Sequence, residues 1–261
     1  MADKIVGVIG GLGPEASLHF YARVLALTPA SRDQDHLHLI IDSNPKTANR
    51  NDALAGRGPS PAPQLVASAR RLEQAGAQVL VMACNTAHAW EAEIRAATAV
   101  PFISIIETTA GEAARLAPAG APVGLLAAEG CLRAGLFQRA LAARGLRPVL
   151  LPDGDQDAFM ALVYRIKAGV VGREERACMA AFVRRLVDLG AAAIVAGCTE
   201  VPLVLPAGAA PCPLIDSSEA LAQATVAYAL SGGDRSGTRA ASAVASPADS
   251  SPATHHDCQA P

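Results

Sequence analysis

The chain has 261 residues, 51% of them apolar, and a formal net charge of −2. That is enough for a sizeable core in one large domain or two small ones. The pI of about 6.3 and an aromatic content of 3% exclude a basic nucleic-acid surface and base-stacking platforms. The opening "MADKIVGVIGGLGPE" lacks the basic and apolar regions of a signal peptide. No run approaches the roughly 18 apolar residues of a membrane span. A cytoplasmic protein binding neither nucleic acid nor membrane is expected. Of the six cysteines, none stands in a C-x-x-C pair, so reduced thiols are expected and the usual zinc spacing is missing.

Taken in chain order, "KIVGVIGG" reads as a buried strand, and Pro14 opens a helix over "EASLHFYARVLAL", a position where its missing N–H does little harm. "HLHLIID" is the next strand, closed by Asp42, and residues 43–63 form a Pro-, Gly- and Asn-rich loop long enough to act as a cover. The helix "QLVASARRLEQA" places Leu65, Ala69 and Leu72 on one face and stops at Gly76. A strand over 79–83, a helix over 88–98 and a strand over 102–106 follow, and a second cycle starts at "PVGLLAAEG". Such alternation predicts parallel sheets covered on both faces.

The two cycles are copies. "RRLEQAGAQVLVMACNT" (70–86) aligns without gaps to "RRLVDLGAAAIVAGCTE" (184–200), with seven identities that include Cys84 with Cys198. "KIVGVIGG" matches "APVGLLAA" at an offset of 117, and "VPFISIIETT" matches "CPLIDSSEA" at 112. Consistent offsets predict a duplicated α/β unit. Residues 231–261, rich in Ser, Ala, Gly and Pro, read as a disordered tail, so its closing "HHDC" lacks a scaffold for a metal.

Cys84 and Cys198 both end buried strands and are followed at once by hydrogen-bonding residues, Asn85 and Thr86 in one copy, Thr199 and Glu200 in the other. Ligands of parallel sheets gather at that edge. Two opposed thiols suit a disulfide, a metal, or acid–base work on opposite faces of one carbon. Taken singly, each cysteine packs as well as any small apolar residue. Cys131, Cys178 and Cys212 are read that way.

"GVIGGLGPEAS", "MACNTAH" and "GCTEVPL", in this order, resemble the aspartate/glutamate racemase superfamily, nearest its aspartate racemase and broad-specificity branch. The resemblance covers roughly residues 4–230. It implies two pseudo-symmetric, Rossmann-like parallel-sheet α/β domains with the active site in the cleft between them, residues 1–113 plus 211–230 forming the first and 114–210 the second. It implies racemisation of an amino acid, aspartate or glutamate or a broader set, without pyridoxal phosphate, metal or other cofactor, in a homodimer. It also implies that Cys84 and Cys198 are the two acid–bases. Asn85, Thr86 and Thr199 would hold the substrate α-carboxylate, with Gly11 and Ser17 framing the pocket. Arg50 would meet the distal carboxylate, Lys167 would stand at the pocket edge, and His88 and Glu200 would support the thiols. Thr47, Ala48 and Asn49 depart from the family's Ile-Pro-Asp-Arg type stretch, Ser17 replaces a commoner Thr, and Ala128 and Cys131 replace a Thr-Gly-Thr-like turn.

Other readings compete. Gly11, Gly13 and Ala16 satisfy a G-x-G-x-x-A dinucleotide loop with Asp42 as ribose ligand, although Pro14 removes a useful amide. Of Lys4, Lys46 and Lys167, only Lys167 suits a Schiff base with pyridoxal phosphate. A catalytically silent amino-acid sensor would keep the cleft, and relatives on this fold also isomerise or decarboxylate acids. Individually, Arg50 reads equally as a solvated loop residue, Lys167 as a helix-terminal charge, and His19, His36 and His38 as structural.

Overall fold

The computed structural model describes residues 3–205, 208 and 210–231. The expected tail beyond Ser231 lies outside the described residues. The first half runs β1 (Val6–Gly10), α1 (Pro14–Leu27), β2 (Leu39–Ser43), α2 (Arg50–Leu54), α3 (Ala62–Gln74), β3 (Val79–Met82), α4 (Glu91–Ala97), β4 (Phe102–Ile103) and α5 (Ile105–Leu116). The second runs β5 (Pro122–Ala127), α6 (Glu129–Arg133), α7 (Leu136–Ala142), β6 (Arg147–Val149), α8 (Asp153–Lys167), α9 (Arg173–Asp188), β7 (Ala193–Gly197), α10 (Val201–Val204), β8 (Leu214–Asp216) and α11 (Ser217–Leu230).

Two four-stranded parallel sheets result, ordered β2-β1-β3-β4 and β6-β5-β7-β8. The offsets found in the sequence reproduce the pairing itself. Val6 faces Val79 in one sheet and Val123 faces Ala193 in the other; Leu80 faces Phe102, and Ile194 faces Leu214.

The central strands are apolar throughout because both of their faces are covered. Alternate residues divide between layers, as the two-residue period of a strand requires. Val6, Val8, Val79 and Val81 of one sheet join Val123, Leu125, Ala193 and Val195 of the other in one central cluster, filled by α1, α5, α7 and α11. The opposite strand faces build two outer clusters, one with Ile9, Leu80 and Met82 under α3, the other with Leu126, Ile194 and Ala196 under α8 and α9.

Four expectations differ from the structure. Residues 214–216, assigned with the first domain, form the edge strand of the second sheet; from 211–230 it is α11 that packs on the first half, against α1. Its counterpart α5 packs on α7, β7 and β8. The two closing helices are therefore exchanged between halves. The strand expected over 102–106 stops at Ile103 and α5 begins at Ile105, while the helix expected over 88–98 is a 3-10 turn over Thr86–Trp90 followed by α4. The loop over 43–63 contains α2, capped by Asn49, whose side-chain oxygen accepts from the N–H groups of Asn51 and Asp52.

Phe137 of α7 is fully buried in the central cluster, with its ring against Gly197, the residue before Cys198. Truncation to Ala should cost about 3–5 kcal/mol of stability, read as a lowered urea midpoint at an unchanged slope.

Candidate active site

Both cysteines emerge just beyond their strands, Cys84 after β3 and Cys198 after β7. They are 8% and 6% exposed. One cavity of about 250 Å³ reaches both thiols and Asn85, Thr86, Thr199 and Glu200. Arg50, Asn51, Tyr164 and Lys167 also line it. Among the described residues the cysteines are free and no cluster has the makings of a metal site.

The surroundings of the two thiols differ. The Cys198 thiol donates to Glu200 Oε2 at 3.0 Å, and Thr199 Oγ1 donates to the same oxygen at 3.4 Å. Lys167 Nζ is ion-paired to Glu200 Oε1. Burial, together with the neighbouring Glu200 carboxylate, pushes the Cys198 thiol well above its ordinary value, with Lys167 pulling the other way. Burial alone would lower the Lys167 ammonium, but the charges of Glu200 and Cys198 outweigh it and leave Lys167 raised. Cys198, Glu200 and Lys167 thus share one network of charge-assisted bonds.

Cys84 is held through its backbone. His88 lies 4% exposed, with Nδ1 2.8 Å from the Cys84 carbonyl oxygen. The Ile105 N–H, a group that only donates, meets His88 Nε2 at 3.1 Å. The imidazole proton therefore sits on Nδ1, donated to Cys84 O. Burial is the main reason the His88 pKa falls to about 4, with Arg95 adding to it and Glu91 and the Cys84 carbonyl opposing. A neutral imidazole with both nitrogens occupied orients the cysteine and leaves no proton for the thiol. Beside it, Asn85 Nδ2 donates to Ser217 Oγ at 3.0 Å, while Asn85 Oδ1 is buried without a partner among the described residues. Ile105 and Ser217 begin the two exchanged helices, so both helices anchor the Cys84 turn.

Of the residues expected at the site, the structure gathers Cys84, Cys198, Asn85, Thr86, Thr199, Glu200, Arg50 and Lys167 in the cavity wall. His88 stands behind Cys84. Gly11 and Ser17 do not line this cavity: Ser17 Oγ accepts from the Gly11 N–H at 2.9 Å and donates to Gly13 O at 3.3 Å, fixing the β1–α1 turn. Gly11 lies at φ +76°, and a side chain there would strike the Asn44 backbone at 2.3 Å. The same geometry lends the dinucleotide reading no support. Asp42 is ion-paired to Arg71 at 2.5 Å, and a neighbouring cavity of about 190 Å³ at the glycine turn is bounded by Lys167 and Glu200.

Arg50 departs from a free anion ligand. Nη1 donates to Thr47 O at 3.2 Å and Ala48 O at 3.0 Å, and Nη2 donates to Leu12 O at 2.5 Å. Two of its five N–H groups remain for a ligand. The sequence reading missed Asn51, Tyr164 and Ser217. Ser217 was within reach, since it aligns with Ile105 at the offset of 112. The contacts of Asn51 and Tyr164 join distant segments and leave no local signal.

Comparison with known proteins decides the family. The model of the Asp/Glu/Hydantoin racemase family matches residues 9–225. The chain belongs to this family. It is 29% identical over 230 residues to a broad-specificity amino-acid racemase of Bacillus subtilis, covering 87% of this chain and 98% of that protein. The structure resembles an aspartate racemase of Picrophilus torridus with a TM-score of 0.74 and 28% identity, over 87% of this chain and 94% of that one. A glutamate racemase of Bacillus anthracis shares the two-domain fold at a TM-score of 0.61 and 18% identity, over 88% and 82% of the two chains. The protein is a racemase acting on amino acids, and nothing supports the oxidoreductase or sensor readings.

The His88 assignment has a pH consequence. Its folded pKa lies below the ordinary value of 6.5, so the unfolded chain binds the extra proton first. The stability that neutral His88 contributes is complete above about pH 6.5 and is lost as pH falls toward 4. In urea titrations between pH 7 and pH 4, His88→Gln should show a lower midpoint at pH 7 and a flatter decline with acid than the parent protein.

Proposed function

We propose that the protein racemises amino acids through Cys84 and Cys198 as a pair of acid–base groups, without a cofactor. One cysteine, as thiolate, takes the Cα proton on its side of the substrate; the other, as thiol, gives a proton to the opposite face. No redox change occurs, and the two cysteines end with exchanged protonation states. The observation that carries this reading is the single cavity reached by both thiols, one from each copy of a duplicated unit.

The Cα proton of a zwitterion is a weak acid, so the carbanion needs strong stabilisation. Hydrogen-bonding groups beside the thiols (Asn85, Thr86 and Thr199) are placed to bind the α-carboxylate as negative charge develops next to it. Ser217 Oγ both donates and accepts, so it supports either orientation of the Asn85 amide and lets that amide serve the carboxylate or the ammonium. Gly11 and Ser17 act only through the turn they fix.

For the substrate side chain we infer aspartate or glutamate first. Arg50 supplies the cation, with its remaining N–H groups. Lys167 is already matched by Glu200, which weakens the demand for a second carboxylate and favours tolerance of neutral side chains as well. The breadth in the Bacillus subtilis relative's name agrees with that tolerance. A cytoplasmic setting that keeps the thiols reduced, expected from the sequence patterns, and a homodimeric assembly, resting on the family resemblance, complete the reading. No helix among the described residues is long and apolar enough to cross a membrane.

The deciding experiment places the reduced protein in deuterated buffer with single L-amino acids and no added cofactor, followed by NMR and circular dichroism. Deuterium at Cα with decaying optical activity is the expected result and names the substrate. Cys84→Ala and Cys198→Ala should each lower racemisation by about 100- to 10,000-fold. Each should retain α-proton exchange from one enantiomer, opposite between the two variants. Full racemisation by both single variants would exclude the two-thiol mechanism.

A further inference from the structure

The two cysteines lie buried along a cavity that opens to solvent beside segment 44–61, which includes α2 and contributes Thr47, Asn49, Arg50 and Asn51 to the wall. The base of this segment is fastened to its own half. Arg50 holds the carbonyls of Leu12, Thr47 and Ala48, and Gln64 brackets the segment by accepting from Ala48 N at 2.9 Å and donating to Lys46 O at 3.2 Å.

Toward the second half the side-chain hydrogen bonds of this segment come from Asn51 alone, among the described residues. Asn51 Nδ2 donates to Tyr164 Oη at 3.1 Å, on α8. Asn51 Oδ1 accepts from the Gly130 N–H at 3.1 Å, in the first turn of α6. One carboxamide therefore closes the cleft with both of its ends. The seat it closes on is shaped for it: a Cβ on Gly130 would lie 2.6 Å from Asn51 Oδ1 and 3.0 Å from Leu54 Cδ1. Asn51 and Leu54 both belong to α2, so α2 rests on α6 because residue 130 carries no side chain.

We propose that Asn51 is the latch of the lid: its two hydrogen bonds to Tyr164 and Gly130 hold segment 44–61 shut over Cys84 and Cys198, and their breakage admits substrate and releases product. Asn51 is thus a positioning residue. It acts through enclosure of the cavity, which excludes water and fixes the substrate between the thiols. The proposal rests on the two-thiol reading of that cavity.

Two measurements test it. The first is the rate at which iodoacetamide alkylates Cys84 and Cys198, followed by peptide mass spectrometry, and it needs no substrate. Asn51→Ala, which loses both bonds, should speed alkylation of both thiols by about tenfold, the scale of two modest hydrogen bonds. Asn51→Asp and Tyr164→Phe each keep the Gly130 bond and should fall between Asn51→Ala and the parent. Gly130→Ala, which wedges α2 off its seat, should match or exceed Asn51→Ala. The second measurement is steady-state racemisation: kcat/KM should fall by about tenfold in Asn51→Ala, mostly through KM, and follow the same order across the series.

Parent-like alkylation rates in folded Asn51→Ala and Gly130→Ala would overturn the latch. Tyr164 is 44% exposed, so Tyr164→Phe remains a fold-safe check. Its failure to speed alkylation would remove the Tyr164 arm and with it the two-ended latch. If the parent shows no racemisation while the alkylation series holds, the lid stands and the two-thiol reading falls.

Discussion

The exchange of the two closing helices is the constraint on which the rest of the structure depends. Had α5 and α11 each packed only within its own half, the halves would be separate domains joined by a linker, free to drift against one another. Instead α11 lies against α1, tied by the Arg23–Glu219 pair at 2.6 Å, and α5 lies against α7. The valines of both sheets share one central cluster with these helices. Two cysteines born from one ancestral position thereby reach a single cavity. Acid–base chemistry tolerates little misplacement, since a shift of about 1 Å can cost about 100-fold in rate.

The same helices reach into the site through their first residues. Ile105 N–H holds His88, which holds the Cys84 carbonyl; Ser217 holds Asn85. Each of these polar groups is buried, where an unmade hydrogen bond is expensive and a made one is rigid. The Cys84 turn is therefore fixed from both closing helices at once. On the other side Cys198 is governed by charge, through Glu200 and Lys167.

The duplication was legible in the sequence because central parallel strands are continuous apolar runs and the copies kept their spacing. The cysteines were legible for the same reason. Shorter elements were less so. "PFISIIETT" satisfies a strand pattern as well as a buried helix start, and Ser104 at the head of α5 was the signal for the helix, though its hydroxyl donates to Glu91 at 2.8 Å instead of capping. Asn49 ahead of α2 was a similar cap signal inside an apparent loop. Pairings between distant segments were beyond reach. Nothing local to "RNDAL" indicates that Asn51 spans the cleft, or that Arg50 is largely committed to backbone carbonyls. Glu200 and Lys167 were each picked out, but their union depends on how α8 lies beside β7.

The two copies have diverged where it matters to the chemistry. Thr86 aligns with Glu200 in the repeat, so only the second copy sets a carboxylate against its thiol. That carboxylate, together with burial, favours the protonated form of Cys198. On the two-thiol reading, Cys198 is then the group that starts as the proton donor. After a turnover the arrangement is reversed, with a thiolate at Cys198 facing the Glu200 carboxylate. Lys167 offsets that repulsion from the far side of Glu200, which explains a cation held beside an acid in a site meant for an anion. A symmetric site would run both directions alike from rest. On the two-thiol reading this one, by placing Glu200 next to one thiol only, gives the two enantiomers different starting points.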